Sequence, residues 1–148
     1  MNANQEKIIT LARSLIGTPY KYAAKPEDIP QYMDCSSFTQ YIYKQIDKGL
    51  PRSTLLQAAQ AGKKISLTAR SSELKAHLET GDLLFFRGSK GHYDDMLFLG
   101  KAVYIGHVAI YTGNNKAIHA TSPKGVVEES LDQVTKEKGP VAMIKRII

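Results

Sequence analysis

Cys35 is the only cysteine in 148 residues. An intramolecular disulfide is therefore impossible, and so is a zinc site built on four thiolates. The chain has no unbroken run of about 18 apolar residues, the length a membrane-spanning helix needs. Its first ten residues, Met1 to Thr10, are polar and lack the basic start, apolar centre and small-residue cleavage site of a secretory signal. A cytoplasmic protein, export by another route, or a domain excised from a longer chain are the expectations left open. No internal repeat, low-complexity tract or flexible linker divides the sequence, so residues 1–148 read as one domain with one core. The net charge of +6 and the pI near 9.4 favour polyanionic surroundings. That charge is scattered, with no basic run longer than Lys63-Lys64 or Lys145-Arg146, and no base-reading motif accompanies it. Nucleic acid is not an expected partner.

What is present falls into two halves with different periods. Ile8, Leu11, Ala12, Leu15 and Ile16 recur at helical spacing until Gly17 and Pro19 stop the helix. Tyr20 to Met33, with Pro26 and Pro30, reads as an irregular loop. A second helix is expected from Cys35 to about Asp47, capped by Asp34, striped by Phe38, Ile42 and Ile46, and followed by Gly49. A short third helix after Pro51 is capped by Ser53 and closed by Gly62, and Ser72 to Leu78 can add another. Beyond these, Asp82–Phe86, Val103–Thr112, Lys116–Ala120 and Val126–Glu128 are short β-rich segments, with Gly113-Asn114-Asn115 as a hairpin loop. Ser130 and Gln133 form a capping box for a last helix ending at Gly139-Pro140, and Val141–Ile148 is a closing strand. Helices first and strands afterwards predict an α+β domain, its N-terminal helices packed on a central antiparallel sheet.

Cys35 opens its helix on the same stripe as Phe38 and Ile42, which aims the thiol at the sheet. Free backbone N–H groups and the helix dipole there favour a thiolate, the nucleophilic form, whereas the adjacent Asp34 opposes it. Capping of the helix by Asp34, or pairing with a cation, would relieve that conflict. Period-two alternation puts His107, Ala109 and Tyr111 on one strand face. His119 follows beyond the hairpin, so adjacent antiparallel strands can set the two imidazoles side by side. A thiol, a base and a group orienting that base are the parts of nucleophilic amide hydrolysis. The same Cys35, His107 and His119 also suit a three-ligand catalytic zinc, with His92, Asp94 and Asp95 a weaker second cluster. His77 and His92 are expected at the surface, and Tyr41 and Tyr43 along an exposed helix face.

Six blocks, taken together, resemble the NlpC/P60 family of papain-like cysteine peptidases. They are Gly17-Thr18-Pro19-Tyr20, Asp34-Cys35-Ser36-Ser37, Pro51-Arg52-Ser53 with Gln57, Gly81-Asp82-Leu83-Leu84-Phe85-Phe86, Gly106-His107-Val108-Ala109-Ile110-Tyr111, and Ile118-His119-Ala120 followed by Gly125-Val126. They stand in the family order across nearly the whole chain. The resemblance implies a papain-like NlpC/P60 fold in which Cys35 attacks an amide carbonyl, His107 exchanges the proton and His119 orients His107. It further implies that Tyr20 and the Cys35 backbone N–H hold the oxyanion. Asp34, Ser36 and Arg52 would then bind substrate at the free amino end of a peptidoglycan stem peptide. The implied reaction is hydrolysis of the γ-D-glutamyl bond to a diamino acid, without metal or organic cofactor, by a monomer. Amidase, deamidase or acyltransferase chemistry on another substrate would use the same residues. Three departures stand out: Ser37 replaces a glycine, Ala23 and Ala24 replace a glycine pair, and the stretch from Arg87 to Gly106, with Met96-Leu97-Phe98-Leu99, is long.

Overall fold

The computed structural model describes residues 1–65, 77–88 and 104–148. The expected helix at Ser72–Leu78 lies outside the described residues except for its last two. The whole of Met96–Leu99 and the His92, Asp94 and Asp95 cluster lie outside them too. His77 is exposed, as expected.

Helix α1 spans Ala3–Ser14. The Asn2 side chain accepts from the Gln5 backbone and the Gln5 side chain accepts from the Asn2 backbone, so the first turn is closed reciprocally. Its Ile8, Ile9 and Ala12 are buried. After α1 the chain docks on a distant strand: Gly17 N donates to Val126 O and Val126 N to Thr18 O, both at 2.9 Å. A Cβ on Gly125 would meet the Thr18 carbonyl oxygen at 2.4 Å, so glycine is what permits this approach. That docking sets where Tyr20 enters the site.

Helix α2 covers Cys35–Lys44 and α3 covers Thr54–Gln60. The former ends earlier than expected, and Asp47 rather than Gly49 adopts the left-handed conformation (φ 59°). Strand β1 (Lys63–Lys64), not foreseen in the sequence, is followed by β2 (Leu83–Phe86), β3 (His107–Gly113), β4 (Lys116–Thr121) and β5 (Gly125–Ser130). Helix α4 (Leu131–Lys138) and β6 (Val141–Arg146) complete the chain. Ser130 caps α4 through the Gln133 N–H, but the Gln133 side chain turns instead to Glu137, so the expected capping box is only half made.

The described strands form one antiparallel sheet in the order β1-β6-β2-β3-β4-β5. Gly113, Asn114 and Asn115, all at positive φ, turn β3 into β4 as expected. Alternation sorts the strands onto two faces. Leu83, Phe85, Val108, Ile110, Ile118, Ala120 and Met143 pack under α1, α2 and α3. Leu84, Phe86, Ala109, Tyr111, Ala117 and Ile144 pack with Leu131 and Val134 of α4. Coverage of both faces explains why Leu83–Phe86 is apolar at every position rather than at alternate ones. It also overturns the expected exposure of Tyr43. This residue is fully buried in the core beneath α2, and its hydroxyl donates to the Gly81 carbonyl. Tyr41 is half-buried against the same core.

Candidate active site

Asp34, Cys35 and His107 stand at the start of an element, whereas His119 lies inside strand β4. Asp34 is the N-cap of α2: its Oδ1 accepts from Ser37 N at 2.8 Å, and Ser37 Oγ accepts from Asp34 N at 2.9 Å. The Ser37 hydroxyl thus closes the capping box and locks the turn that presents Cys35. Asp34 also pairs with Arg52, with Nη2–Oδ2 at 2.7 Å, and Arg52 Nη1 donates to Ser36 Oγ at 2.8 Å. The three residues expected at a substrate amine are therefore one connected cluster. Burial alone would raise the Asp34 carboxyl; the Arg52 guanidinium and the Ser37 donors outweigh it and hold it below the usual carboxylate range. The loop before α2 contributes as well: Ala24 N donates to Asp34 Oδ2, and Ala24 O accepts from Arg52. Ala23 keeps a glycine-like φ of 53° although it carries a Cβ.

The Cys35 thiol shares a hydrogen bond of 3.3 Å with the Thr54 hydroxyl, a partner that no sequence motif announced. Gln57, fully buried, joins α3 to α2 by donating to the Ser36 and Pro51 carbonyls and accepting from Thr39. Burial pushes the thiol up, the Thr54 bond opposes this, the Asp34 charge adds to it, and a backbone N–H from Val108 opposes it again. That last contact brings the thiol against β3 at the residue following His107.

His107 is the first residue of β3. Behind it the chain passes so near Gly88 that a Cβ on Gly106 would lie 2.7 Å from the Arg87 carbonyl oxygen. The register Ile110↔Ile118 places His119 one same-face step along β4 from His107, and Ala117↔Glu129 repeats the step onto β5. The staircase is bonded throughout: His107 Nε2 to His119 Nδ1 at 2.7 Å, and His119 Nε2 to Glu129 Oε1 at 2.8 Å. The two rings meet edge to face, with centroids 4.9 Å apart. Facing nitrogens 2.7 Å apart share a proton; two imidazoles on a tetrahedral zinc, each about 2 Å from the ion, would stand about 3.3 Å apart. Both imidazoles are buried. Burial pushes His107 well below its ordinary 6.5, with His119 and Lys138 adding to the effect. It lowers His119 too, although Glu129 pulls the other way. Tyr20, held by an isolated bridge to Met33, feels the charges of Cys35 and Asp34. Burial first, and those charges next, push its phenol up to about 12, so it remains a donor at neutral pH.

The structure thus gathers Asp34, Ser36 and Arg52 into one cluster and His107 and His119 into one bonded pair. The strand after His107 brings that pair toward Cys35. Sequence reasoning missed Thr54 and Glu129, and quoted Gln57 as part of a motif without giving it a role. Glu129 was the least accessible, because only strand register, not spacing, brings it to His119.

A relative in Bacillus subtilis, named gamma-DL-glutamyl hydrolase, is 31% identical over 128 residues, covering 85% of this chain and 26% of the relative. Another in Escherichia coli K12, named murein DD-endopeptidase MepS/murein LD-carboxypeptidase, is 36% identical over 103 residues, covering 68% of this chain and 43% of the relative. The chain therefore spans less than half the length of either. The NlpC/p60 domain of the peptidoglycan hydrolase SagA superposes with a TM-score of 0.69 at 29% identity, covering 99% of both chains. The NlpC/P60 family profile matches residues 17–143, from the glycine that ends the α1 region to the middle of β6, and the chain belongs to that family.

Proposed function

We propose that this chain is a cysteine peptidase that hydrolyses the γ-D-glutamyl amide to a diamino acid in peptidoglycan stem peptides. Cys35 Sγ attacks the carbonyl carbon while its proton passes to His107 Nδ1, a nitrogen that accepts no hydrogen bond among the described residues. The Tyr20 hydroxyl and the Cys35 N–H stabilise the oxyanion of the tetrahedral intermediate. His107 then protonates the departing amine, and water, deprotonated by the same imidazole, releases the acyl group from sulfur. Asp34, Ser36 and Arg52 line the subsite for the amino end of the stem. No cofactor takes part in these steps.

The observation that supports this reading is the bonded line His107–His119–Glu129, together with the Cys35 thiol held against the backbone of Val108, the residue after His107. A structural histidine pair has no need of a carboxylate behind it. Wall peptides are favoured because the relatives named above act, by their names, on murein, peptidoglycan or γ-glutamyl bonds. The test is a digest of purified peptidoglycan by the wild type and by Cys35→Ala, read by mass spectrometry. Fragments cut between the second and third stem residues, made by the wild type alone, are expected. A folded, thiol-reactive protein that yields none would move the substrate to another amide, with deamidation or acyl transfer next in line.

A further inference from the structure

His119 leaves an open question: which of its nitrogens carries the proton. Nδ1 faces His107 Nε2, and Nε2 faces Glu129 Oε1. A carboxylate can only accept, so the proton of neutral His119 sits on Nε2 and donates to Glu129. Nδ1 of His119 is then a bare lone pair, and His107 must supply the proton between the rings from its own Nε2. The remaining nitrogen of His107, Nδ1, is left basic. One carboxylate, two strands away, thereby decides which nitrogen of the general base is free.

We propose that Glu129 is a positioning residue of the catalytic centre: its carboxylate fixes the tautomer of His119 and, through it, presents His107 Nδ1 unprotonated to Cys35. This rests on the Cys–His chemistry proposed above.

Glu129 is itself held. Its second oxygen accepts from Lys124 Nζ at 2.8 Å, and the same ammonium donates to Glu137 of α4, which also accepts from Gln133. Lys124 lies in the turn between β4 and β5, so the clamp ties that turn to α4. The charged and titratable groups around His119 are His107 on β3, Glu129 on β5, Lys124 in the turn, and Glu137 and Lys138 on α4. Lys124 balances the Glu129 charge and, with the His119 bond, holds its carboxyl below the usual range despite partial burial. Glu129 is thus an acceptor throughout the neutral range. Both imidazoles, shifted downward, are neutral there too, so the tautomer is a defined quantity.

Lys124 also gives the substitution Glu129→Gln a direction. An ammonium cannot accept, so the new amide must turn its oxygen to Lys124 and its NH2 to His119 Nε2. His119 would then carry its proton on Nδ1, His107 would have to accept at Nε2, and His107 Nδ1 would be protonated and useless as a base.

The experiment is ¹⁵N NMR of ring-labelled histidines at neutral pH in the wild type, Glu129→Gln and Glu129→Asp, with iodoacetamide alkylation of Cys35 and, where hydrolysis is found, kcat and KM on the same proteins. The wild type is expected to show protonated Nε2 on both His107 and His119. Glu129→Gln is expected to move both protons to Nδ1, slow alkylation, and lower kcat on the order of 10²-fold with little change in KM. Glu129→Asp should keep the wild-type tautomers, and adding Lys124→Met to Glu129→Gln should restore part of the loss by freeing the amide to flip. A wild-type spectrum with the His119 proton on Nδ1 overturns the proposal without any variant having to fold. Unchanged tautomers and alkylation in Glu129→Gln overturn it equally. Spectra and alkylation need no substrate, so a failure to digest peptidoglycan would count against the proposed function and not against this role of Glu129.

Discussion

Burial acts on Cys35 and His107 in opposite directions that have one consequence. It raises the thiol and lowers the imidazole, so a lone thiolate and a lone imidazolium are both disfavoured. In the proposed mechanism the two charges form together, by passage of one proton from sulfur to His107 Nδ1. The helix N-terminus does not ionise Cys35 by itself, as its position alone had suggested, because burial and the Asp34 charge work against it. His107→Ala is accordingly expected to slow iodoacetamide labelling of Cys35 at neutral pH by at least about tenfold, since the thiol then ionises alone in a buried site. An unchanged labelling rate would show that His107 is not the base for this thiol.

At the scale of elements, the site depends on how α2 begins. Its first turn is fixed by the reciprocal Asp34–Ser37 bonds and by the Arg52 pair, and Gln57 of α3 grips the Ser36 carbonyl from the side. Ser37 is fully buried, so Ser37→Ala would strand the Asp34 N–H without a partner. A loss of about 1–3 kcal/mol is expected, the cost of an unsatisfied buried donor. Urea unfolding with an unchanged m-value is the measurement. A shift in midpoint too small to resolve would mean that the Ser37 hydroxyl does not hold this turn. Ala23, in the loop before α2, keeps a left-handed conformation although it carries a Cβ.

Over the whole molecule, the buried histidines make stability depend on pH in two stages. His107 and His119 have folded values below the ordinary 6.5. Below about that pH the unfolded chain takes up protons that the folded chain refuses, so stability present at higher pH is lost as pH falls. The depressed carboxyls of Asp34, Glu128 and Glu129 stabilise the fold above the ordinary carboxylate range, and that contribution disappears only at lower pH still. Thermal melts should therefore show Tm level above neutrality, falling from about pH 6.5, and falling again in the carboxylate range. His107→Asn should flatten the first decline. A Tm that stays level down to the carboxylate range would contradict the burial of neutral imidazoles.

The sequence alone determined most of the element types, the antiparallel α+β architecture, and the choice of Cys35, His107 and His119 as candidates. All of these rest on local information: helical and period-two spacing, caps at Asp34, Ser53 and Ser130, and glycine-marked turns. Two-faced burial of the sheet belonged to the tertiary structure, because Tyr43 looks like a surface residue until the element it packs beneath is known. So did the roles of Thr54, Gln57 and Glu129. Each acts across a gap of many residues, set by helix docking or strand register, and a one-residue change of register would turn Glu129 to the opposite face of the sheet. Local chemistry pointed to Cys35 and His107; in the proposed mechanism, which nitrogen of His107 is free depends on strands β4 and β5 lying side by side.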